Sequence, residues 1–349
     1  MKEYEEPLNP QQENQINNMN EMKVIASERI LSSEDIIQVE EEELYPVYIN
    51  CPLFNEQDDN NIISTSKYKW YNFFPKMLLT EFSRLANSYF LIIAVLQTIK
   101  EISYSDGIPL ILIPLTLVIC VNGAKDLYED FKRKESDNKE NNSKCEIFNV
   151  ENNKFEEKKW YTIKIGDIVK VYKDQQIPAD LLLLNTSEEN GFCYIETKNI
   201  DGETNLKNKQ SNQELTEMIK TDEDLSRLKY VCVTKPPDEY IYKFNATLYE
   251  IDDNGKIKNK DKYILMDNKS FLLRGCTLRQ TDYIIGVTIY VGEHTKTMIN
   301  APKVKIKHST VEYTMNKQII SVFLLQIIIS FIASLAHAII TYEYSEGNR

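Results

Sequence analysis

The chain has 349 residues, enough for about two domains, and carries 53 Asp and Glu against 41 Lys and Arg, a net charge of −12. A chain this acidic shows no basic surface of the kind that attracts nucleic acid. Its six cysteines contain no Cys-X-X-Cys pair, which argues against a zinc site and favours free thiols in a reducing compartment.

The negative charge is concentrated near the N-terminus. Residues 1–66 contain 15 Asp and Glu but three Lys and Arg, so the remainder of the chain holds 38 of each sign. Residues 1–44 are rich in Asn, Gln and Glu, and no secretory signal peptide is visible. Because residues 1–44 lack the apolar surface that would offset the entropy lost on ordering, we expect a disordered acidic tail there.

Two apolar stretches predict a pair of transmembrane helices joined by a short link. The first covers 85–104 and follows 45–84, which we expect to be a cytosolic segment; the second covers 108–128. The continuous apolar run in each is so short that hydropathy alone does not distinguish a membrane span from a buried helix of a soluble domain. Pro109 and Pro114 favour the membrane, where proline is better tolerated in helices. Lysines and arginines outside the pair place both flanks on the cytoplasmic side.

A third apolar stretch is long enough to cross a bilayer by itself, because a span needs about 20 apolar residues. We predict a span over 317–341; within its apolar run, 319–340, Gln326 and His337 are the strongly polar residues. Several lysines precede it, so its N-terminal end is predicted to be cytoplasmic and 342–349 to form a short exoplasmic end.

The region between the second and third spans, 129–302, has mainly strand patterns. Short runs of β-branched and aromatic residues, such as Tyr283–Val291, are separated by turn residues such as Asp253-Asn254-Gly255. A more helical insertion lies near 208–228. The sequence therefore predicts a multi-domain membrane protein, α+β overall, with α-helical transmembrane spans and a mainly antiparallel β domain.

An ordered series of motifs runs through the β-rich region. The series is Ile165-Gly166-Asp167, Ile177-Pro178-Ala179-Asp180, Tyr194-Ile195-Glu196-Thr197, Asp201-Gly202-Glu203-Thr204 and Leu273-Arg274-Gly275-Cys276. This series resembles the actuator domain of P-type ATPases. The Asp-Gly-Glu-Thr form, together with Phe73-Phe74-Pro75-Lys76, resembles the phospholipid-transporting (P4) branch, the lipid flippases. The resemblance covers about 45–340 and makes 129–302 the actuator domain.

The resemblance implies that the Asp-Gly-Glu-Thr loop dephosphorylates an aspartyl-phosphate. Glu203 would orient and deprotonate the attacking water as general base. Gly202 would let the backbone turn sharply, Thr204 would bond the same water or steady the loop, and Asp201 would shape the loop. In isolation, an Asp-Gly turn between strands is common, so the surrounding motifs carry the assignment.

Two polar residues near the first span, Asn87 and Gln97, are candidates for a lipid pathway. Polar groups are expensive in lipid and tend to face a pathway or a neighbouring helix. In the resembling family the first spans are thought to line the headgroup route, so Gln97 would touch a headgroup. A hydrogen bond between helices explains these residues equally well.

The resemblance also implies cofactors and partners. Complete family members use ATP and Mg2+, move membrane phospholipid and usually pair with a two-span accessory glycoprotein, in the plasma membrane or an endomembrane. The family's phosphorylated Asp-Lys-Thr-Gly-Thr motif and nucleotide-binding domain are not found in this sequence. We therefore expect no ATP or Mg2+ ligands here and no activity from the chain alone.

Two alternatives stay open at this point. The chain would be a non-catalytic, three-span membrane scaffold that retains the actuator fold, or part of a cation-pumping P-type ATPase. The Asp-Gly-Glu-Thr form and the Phe-Phe-Pro-Lys segment argue against the cation pump.

Overall fold

The structure, a computed structural model, describes most of the chain. The predicted acidic tail, 1–44, lies outside the described residues apart from Leu44. The described ranges are 44–51, 54–55, 60–101, 103, 105–301 and 310–347.

The chain divides into two compact units. The β-rich unit lies within Met1–Ser64 and Glu135–Ala301, and the helical unit lies within Thr65–Lys134 and Pro302–Arg349. The first consists of antiparallel sheets and the second of long helices. The α+β class predicted from the sequence is confirmed.

The strands of the β-rich unit form three antiparallel sheets. Their orders are β11-β5-β13-β4-β2-β3, β1-β8-β9-β10 and β12-β6-β7. The strands are β1 (Tyr45–Tyr48), β2 (Lys144–Asn149), β3 (Lys154–Lys159), β4 (Ile168–Tyr172), β5 (Asp180–Thr186), β6 (Phe192–Glu196), β7 (Leu206–Gln210), β8 (Tyr230–Thr234), β9 (Asn245–Glu250), β10 (Tyr263–Asp267), β11 (Phe271–Leu272), β12 (Thr277–Arg279) and β13 (Tyr283–Tyr290).

The helices fall into short connecting turns and long apolar segments. Short helices occupy 213–226, within the predicted insertion. The helices are α1 (Phe73–Phe82), α2 (Leu85–Gln97), α3 (Leu112–Asn141), α4 (Lys198–Asp201), α5 (Gln213–Met218), α6 (Asp222–Ser226), α7 (Lys296–Asn300) and α8 (Thr310–Gly347).

The core of the β-rich unit is built around β5. This strand lies between β11 and β13, and its four consecutive leucines, 181–184, are each at most 1% exposed. A continuous apolar run of this length is typical of a strand covered on both faces. Each fully buried leucine contributes about 2 kcal/mol of transfer free energy, so β5 is a major source of stability.

A buried carboxylate at the start of β5 ties distant segments together. Asp180 accepts hydrogen bonds from the backbone amides of Arg274 (2.8 Å) and Lys296 (2.7 Å). Burial raises the pKa of Asp180 to about 6, against the lowering effect of these two bonds. The guanidinium of Arg274 donates in turn to Asn61 (2.6 Å) and Glu140 (3.2 Å). These bonds connect the start of β5 to segments around residues 61, 140, 274 and 296.

In the helical unit, α1 and α2 are separated by a bend of 93°. The break falls at Arg84, whose backbone is extended. Asn87 donates to the carbonyl of Glu81 (2.9 Å) and Ser88 donates to that of Phe82. These side chains satisfy carbonyls that the end of α1 leaves without helical partners. The sequence predicted one span over 85–104, and the structure places its helix after this bend.

The next helix, α3, begins at Leu112, later than the predicted start of the second span at 108. Pro114 lies in its first turn, where a missing backbone N–H costs nothing. The helix continues past the predicted end at 128 to Asn141. Its apolar part ends at Lys125, and charged residues cover the remainder.

One helix in the described part of the chain is long and apolar enough to cross a membrane by itself. It is the segment Thr310–Thr341 of α8, which contains the predicted span 317–341. The pair Phe73–Phe82 and Leu85–Gln97 meets the same criterion when it is taken together.

Candidate functional site

The predicted Asp-Gly-Glu-Thr loop connects two paired strands. β6 and β7 are antiparallel neighbours, and the pair Glu196–Leu206 closes the base of the loop. The loop starts with α4 and reverses at Gly202, whose φ is +77°. A Cβ atom there would meet no other atom within 4 Å, so the requirement for glycine comes from the backbone conformation.

Asp201 is the centre of the loop's hydrogen bonds. Its carboxylate accepts from the Thr197 hydroxyl (2.9 Å), the Glu203 amide (2.9 Å), the Lys207 ammonium (2.6 Å) and the Tyr242 hydroxyl (2.8 Å). These donors come from the end of β6, from the loop, from β7 and from the turn before β9. The carboxylate therefore fixes the loop against several parts of the domain.

The electrostatics of this cluster favour its charged form. Burial opposes ionisation of Asp201, but the hydrogen bonds from Lys207, the Glu203 amide, Tyr242 and Thr197 outweigh it and hold the pKa of Asp201 well below its usual range. Burial likewise opposes charge on Lys207, and the bonds to Asp201, Glu203 and Tyr242 raise the pKa of Lys207 above its usual range. Asp201 and Lys207 thus form an ion pair at neutral pH.

The side chain of Glu203 is more exposed to solvent than that of Asp201. Its side chain is 58% exposed, against 18% for that of Asp201. One carboxylate oxygen of Glu203 lies 3.0 Å from the Lys207 ammonium. Thr204 follows directly and is exposed. The loop therefore presents an accessible carboxylate with a lysine ammonium beside it.

The two lipid-pathway candidates lie in the helical unit, and each has a partner there. Gln97 accepts a hydrogen bond from the backbone amide of Ile111 (3.3 Å). Asn87 is buried and donates to the carboxylate of Glu81 (3.1 Å) as well as to its carbonyl. Asn122 donates to the same carboxylate (2.9 Å).

Several residues that bond Asp201 or Asn87 were not predicted from the sequence. Glu81 is only 1% exposed and lies at the bend between α1 and α2, where Asn87 and Asn122 donate to its carboxylate. Tyr242 is 41 positions away from Asp201 along the chain, so no local pattern points to it. Lys207 follows the Asp-Gly-Glu-Thr motif by three positions, and this proximity was the one available signal.

The described residues do not form the donor sets that metal ions prefer. Within the described ranges, no group of three or more His, Cys, Asp or Glu side chains is arranged to hold an ion. The carboxylates of Asp201 and Glu203 share a lysine, which already neutralises charge that a cation would need. No chemical step of this loop is therefore assigned to Mg2+.

Two family models match the chain. One describes the N-terminal region of phospholipid-translocating ATPases and matches residues 47–111. The other describes the P-type ATPase actuator domain and matches residues 141–245, which include the loop. Together they fit the order of segments predicted from the motifs.

Curated relatives are similar over most of the chain. The phospholipid-transporting ATPase DRS2 of Saccharomyces cerevisiae is 37% identical over 86% of this chain and 22% of its own length. Phospholipid-transporting ATPase IC of Mus musculus is 34% identical over 87% and 23%. Phospholipid-transporting ATPase 1 of Arabidopsis thaliana is 35% identical over 86% and 25%. The chain thus spans about a quarter or less of the length of these relatives.

The hydrogen bond from Tyr242 to Asp201 predicts a change in the dynamics of the loop. Tyr242→Phe removes one donor worth about 1 kcal/mol, so exchange of the Glu203 amide hydrogen should become about fivefold faster. Hydrogen exchange of the loop measures this. Tyr240→Phe is the matched control, because Tyr240 is equally exposed (55% each) and does not bond Asp201. Equal exchange in both variants would show that Tyr242 does not hold the loop.

Proposed function

The chain belongs to the family of phospholipid-translocating P-type ATPases, and we propose that it forms the N-terminal and actuator part of an ATP-driven lipid flippase. Its loop would hydrolyse an aspartyl-phosphate supplied by another part of the complete protein. The observation that carries this proposal is the exposed Glu203 carboxylate on a loop fixed by Asp201. The chain spans 22% of the length of the yeast relative. The substrate and the activity of the complete protein therefore belong to the proposal.

In the proposed step, Glu203 acts as general base. Its carboxylate takes a proton from a water molecule while the water oxygen bonds to phosphorus. The bond between phosphorus and the aspartyl oxygen breaks, and the electron pair stays on that oxygen. The products are an aspartate carboxylate, inorganic phosphate and a protonated Glu203, which returns its proton to solvent.

The neighbours of Glu203 suit it to this task. The Lys207 ammonium lies 3.0 Å from one carboxylate oxygen of Glu203 and so helps to orient that side chain. Asp201 is occupied by four donors, so it is a positioning residue and does not compete for the water. Gly202 allows the backbone to approach the phosphoryl group closely. Thr204, beside Glu203, would bond the same water.

The membrane arrangement is part of the same proposal. We propose a cytosolic β-rich unit, which the lysines and arginines that flank the apolar segments support through the positive-inside rule. Membrane phospholipid is the proposed substrate. The proposed partner is a two-span accessory glycoprotein, which co-purification with the complete protein tests.

Glu203→Gln should trap the phosphoenzyme in the complete protein. Glutamine keeps the shape of the side chain but cannot accept the proton, and loss of a general base typically slows a step about 100-fold or more. The measurement is the decay of radiolabelled phosphoenzyme after a chase with unlabelled ATP.

The matched control for this experiment is Glu189→Gln. Glu189 is an exposed residue in the turn between β5 and β6, so its exchange alters the charge of the domain by the same amount. Its phosphoenzyme should decay at the rate of the unmodified protein. Normal decay in Glu203→Gln would remove Glu203 from the mechanism.

A lipid-pathway role for Gln97 is proposed separately and tested by Gln97→Ala. Polar groups on the route discriminate headgroups, so the exchange should change which phospholipid best stimulates ATP hydrolysis by the complete protein. Gln326→Ala, the same exchange in α8, is the control and should leave the lipid preference intact. An unchanged preference in Gln97→Ala would assign Gln97 to packing, through its bond to the amide of Ile111.

A further inference from the structure

A cleft lies beside the loop, because Thr197, Lys207 and Tyr242, which bond Asp201, also line it. It has a volume of about 260 Å³ and is lined by β6, β7, the turn at 241–242 and the segment 268–273. Three of its lining residues are lysines, namely Lys207, Lys209 and Lys269, and none is an acid. The cleft is therefore a local concentration of positive charge in an acidic protein.

Lys209 has no carboxylate partner in the described part of the chain. Its ammonium donates to the backbone carbonyl of Asn268 at 2.6 Å, which leaves two of its three N–H donors for other partners. Burial lowers the pKa of Lys209, and the nearest ionisable groups only partly oppose this. A half-buried ammonium in this position is stabilised when an anion approaches it.

Lys269 adds a second uncompensated charge. It is exposed, and no ion pair of its side chain is seen among the described residues. The carboxylate of Asp267 lies close by in sequence, but it accepts the backbone amide of Lys269 (2.9 Å) and so caps the turn. Lys207, by contrast, is neutralised by Asp201 and Glu203.

The strand geometry lets these groups converge. Lys207 and Lys209 are two positions apart on β7, so their side chains leave the same face about 7 Å apart. The register pairs them with Ile195 and Cys193 of β6. Lys269 reaches the cleft from the turn whose Asn268 carbonyl Lys209 contacts. Thr197 and Tyr242 also line the cleft, and the hydroxyl of each donates to Asp201.

We propose that this cleft binds a phosphate-bearing anion. A phosphate group carries about two negative charges and several acceptor oxygens, which match the uncompensated ammonium groups of Lys209 and Lys269. A cleft lined by one sign of charge also raises the local concentration of such an anion. Inorganic phosphate and the phosphates of a nucleotide share this chemistry. The site does not depend on hydrolysis by the loop.

Lysine acylation of the intact chain in detergent tests this directly. The chain is treated with an amine-reactive acetylating reagent, with and without sodium phosphate, at constant ionic strength set with sodium chloride. At a phosphate concentration of twice the dissociation constant, two thirds of the sites are filled, so acetylation of Lys209 and Lys269 should fall about threefold. Mass spectrometry reads each lysine separately, and Lys262 and Lys256 on the β9–β10 hairpin should be unaffected.

The same titration with ATP distinguishes the two sources of phosphate. Protection by phosphate and by ATP supports a general phosphate site, and protection by ATP alone supports a nucleotide. Equal reactivity of Lys209 and Lys269 in phosphate, ATP and chloride would overturn the proposal, as would equal protection by chloride.

Variants give a second, independent readout by titration calorimetry. Lys269→Glu changes an exposed side chain, so it should leave the fold intact and weaken binding of the protecting anion about tenfold or more. Lys262→Glu, also exposed, should bind as the unmodified chain does. Equal binding by both variants would contradict the site. Glu203→Gln should not lessen binding here, so a failure of this site and a failure of the proposed hydrolysis are distinguishable.

Discussion

The carboxylate of Asp201 is the interaction on which the candidate site depends. It collects hydrogen bonds from a hydroxyl, a backbone amide, an ammonium and a phenol, contributed by Thr197, Glu203, Lys207 and Tyr242. The bond to the amide of Glu203 sets the backbone of the residue proposed to react. Without this carboxylate the loop would become ordered only on binding its substrate, and binding would then cost conformational entropy.

Asp201 can hold the loop in place because its donors are attached to rigid, paired strands. Lys207 sits on β7, which is paired along its length with β6, and the Thr197 hydroxyl follows the end of β6. The buried bonds of Asp180 connect the largest sheet to Arg274 and Lys296. The loop is thus a short, hydrogen-bonded element on a rigid scaffold, the usual arrangement for a reactive side chain. Lys207 links the two features beside it, since it contacts Glu203 and also lines the basic cleft.

Much of this organisation was predictable because its signals are local. The α+β class follows from apolar stretches and strand patterns, and the loop residues follow from the order of motifs. The bend at Arg84 was not predicted, because it depends on Asn87 and Ser88 bonding back to α1. Tyr242 and Lys269 also escaped prediction, because segments distant in the sequence bring them beside β7. Gln97 was noticed as a polar residue, but its partner at Ile111 needed the three-dimensional fold.

The central claim is that Asp201 acts through Glu203, and a double-mutant cycle on phosphoenzyme decay tests it most directly. The complete protein would be compared as Asp201→Asn, as Glu203→Gln and with both exchanges. Residues that act as a unit have non-additive effects, so the double variant should decay no more slowly than Glu203→Gln alone. Asp201→Asn alone should slow decay by a smaller factor, because the general base remains but is less well held. Slowing in the double variant equal to the product of the two single effects would contradict the account, since Asp201 would then act independently of Glu203.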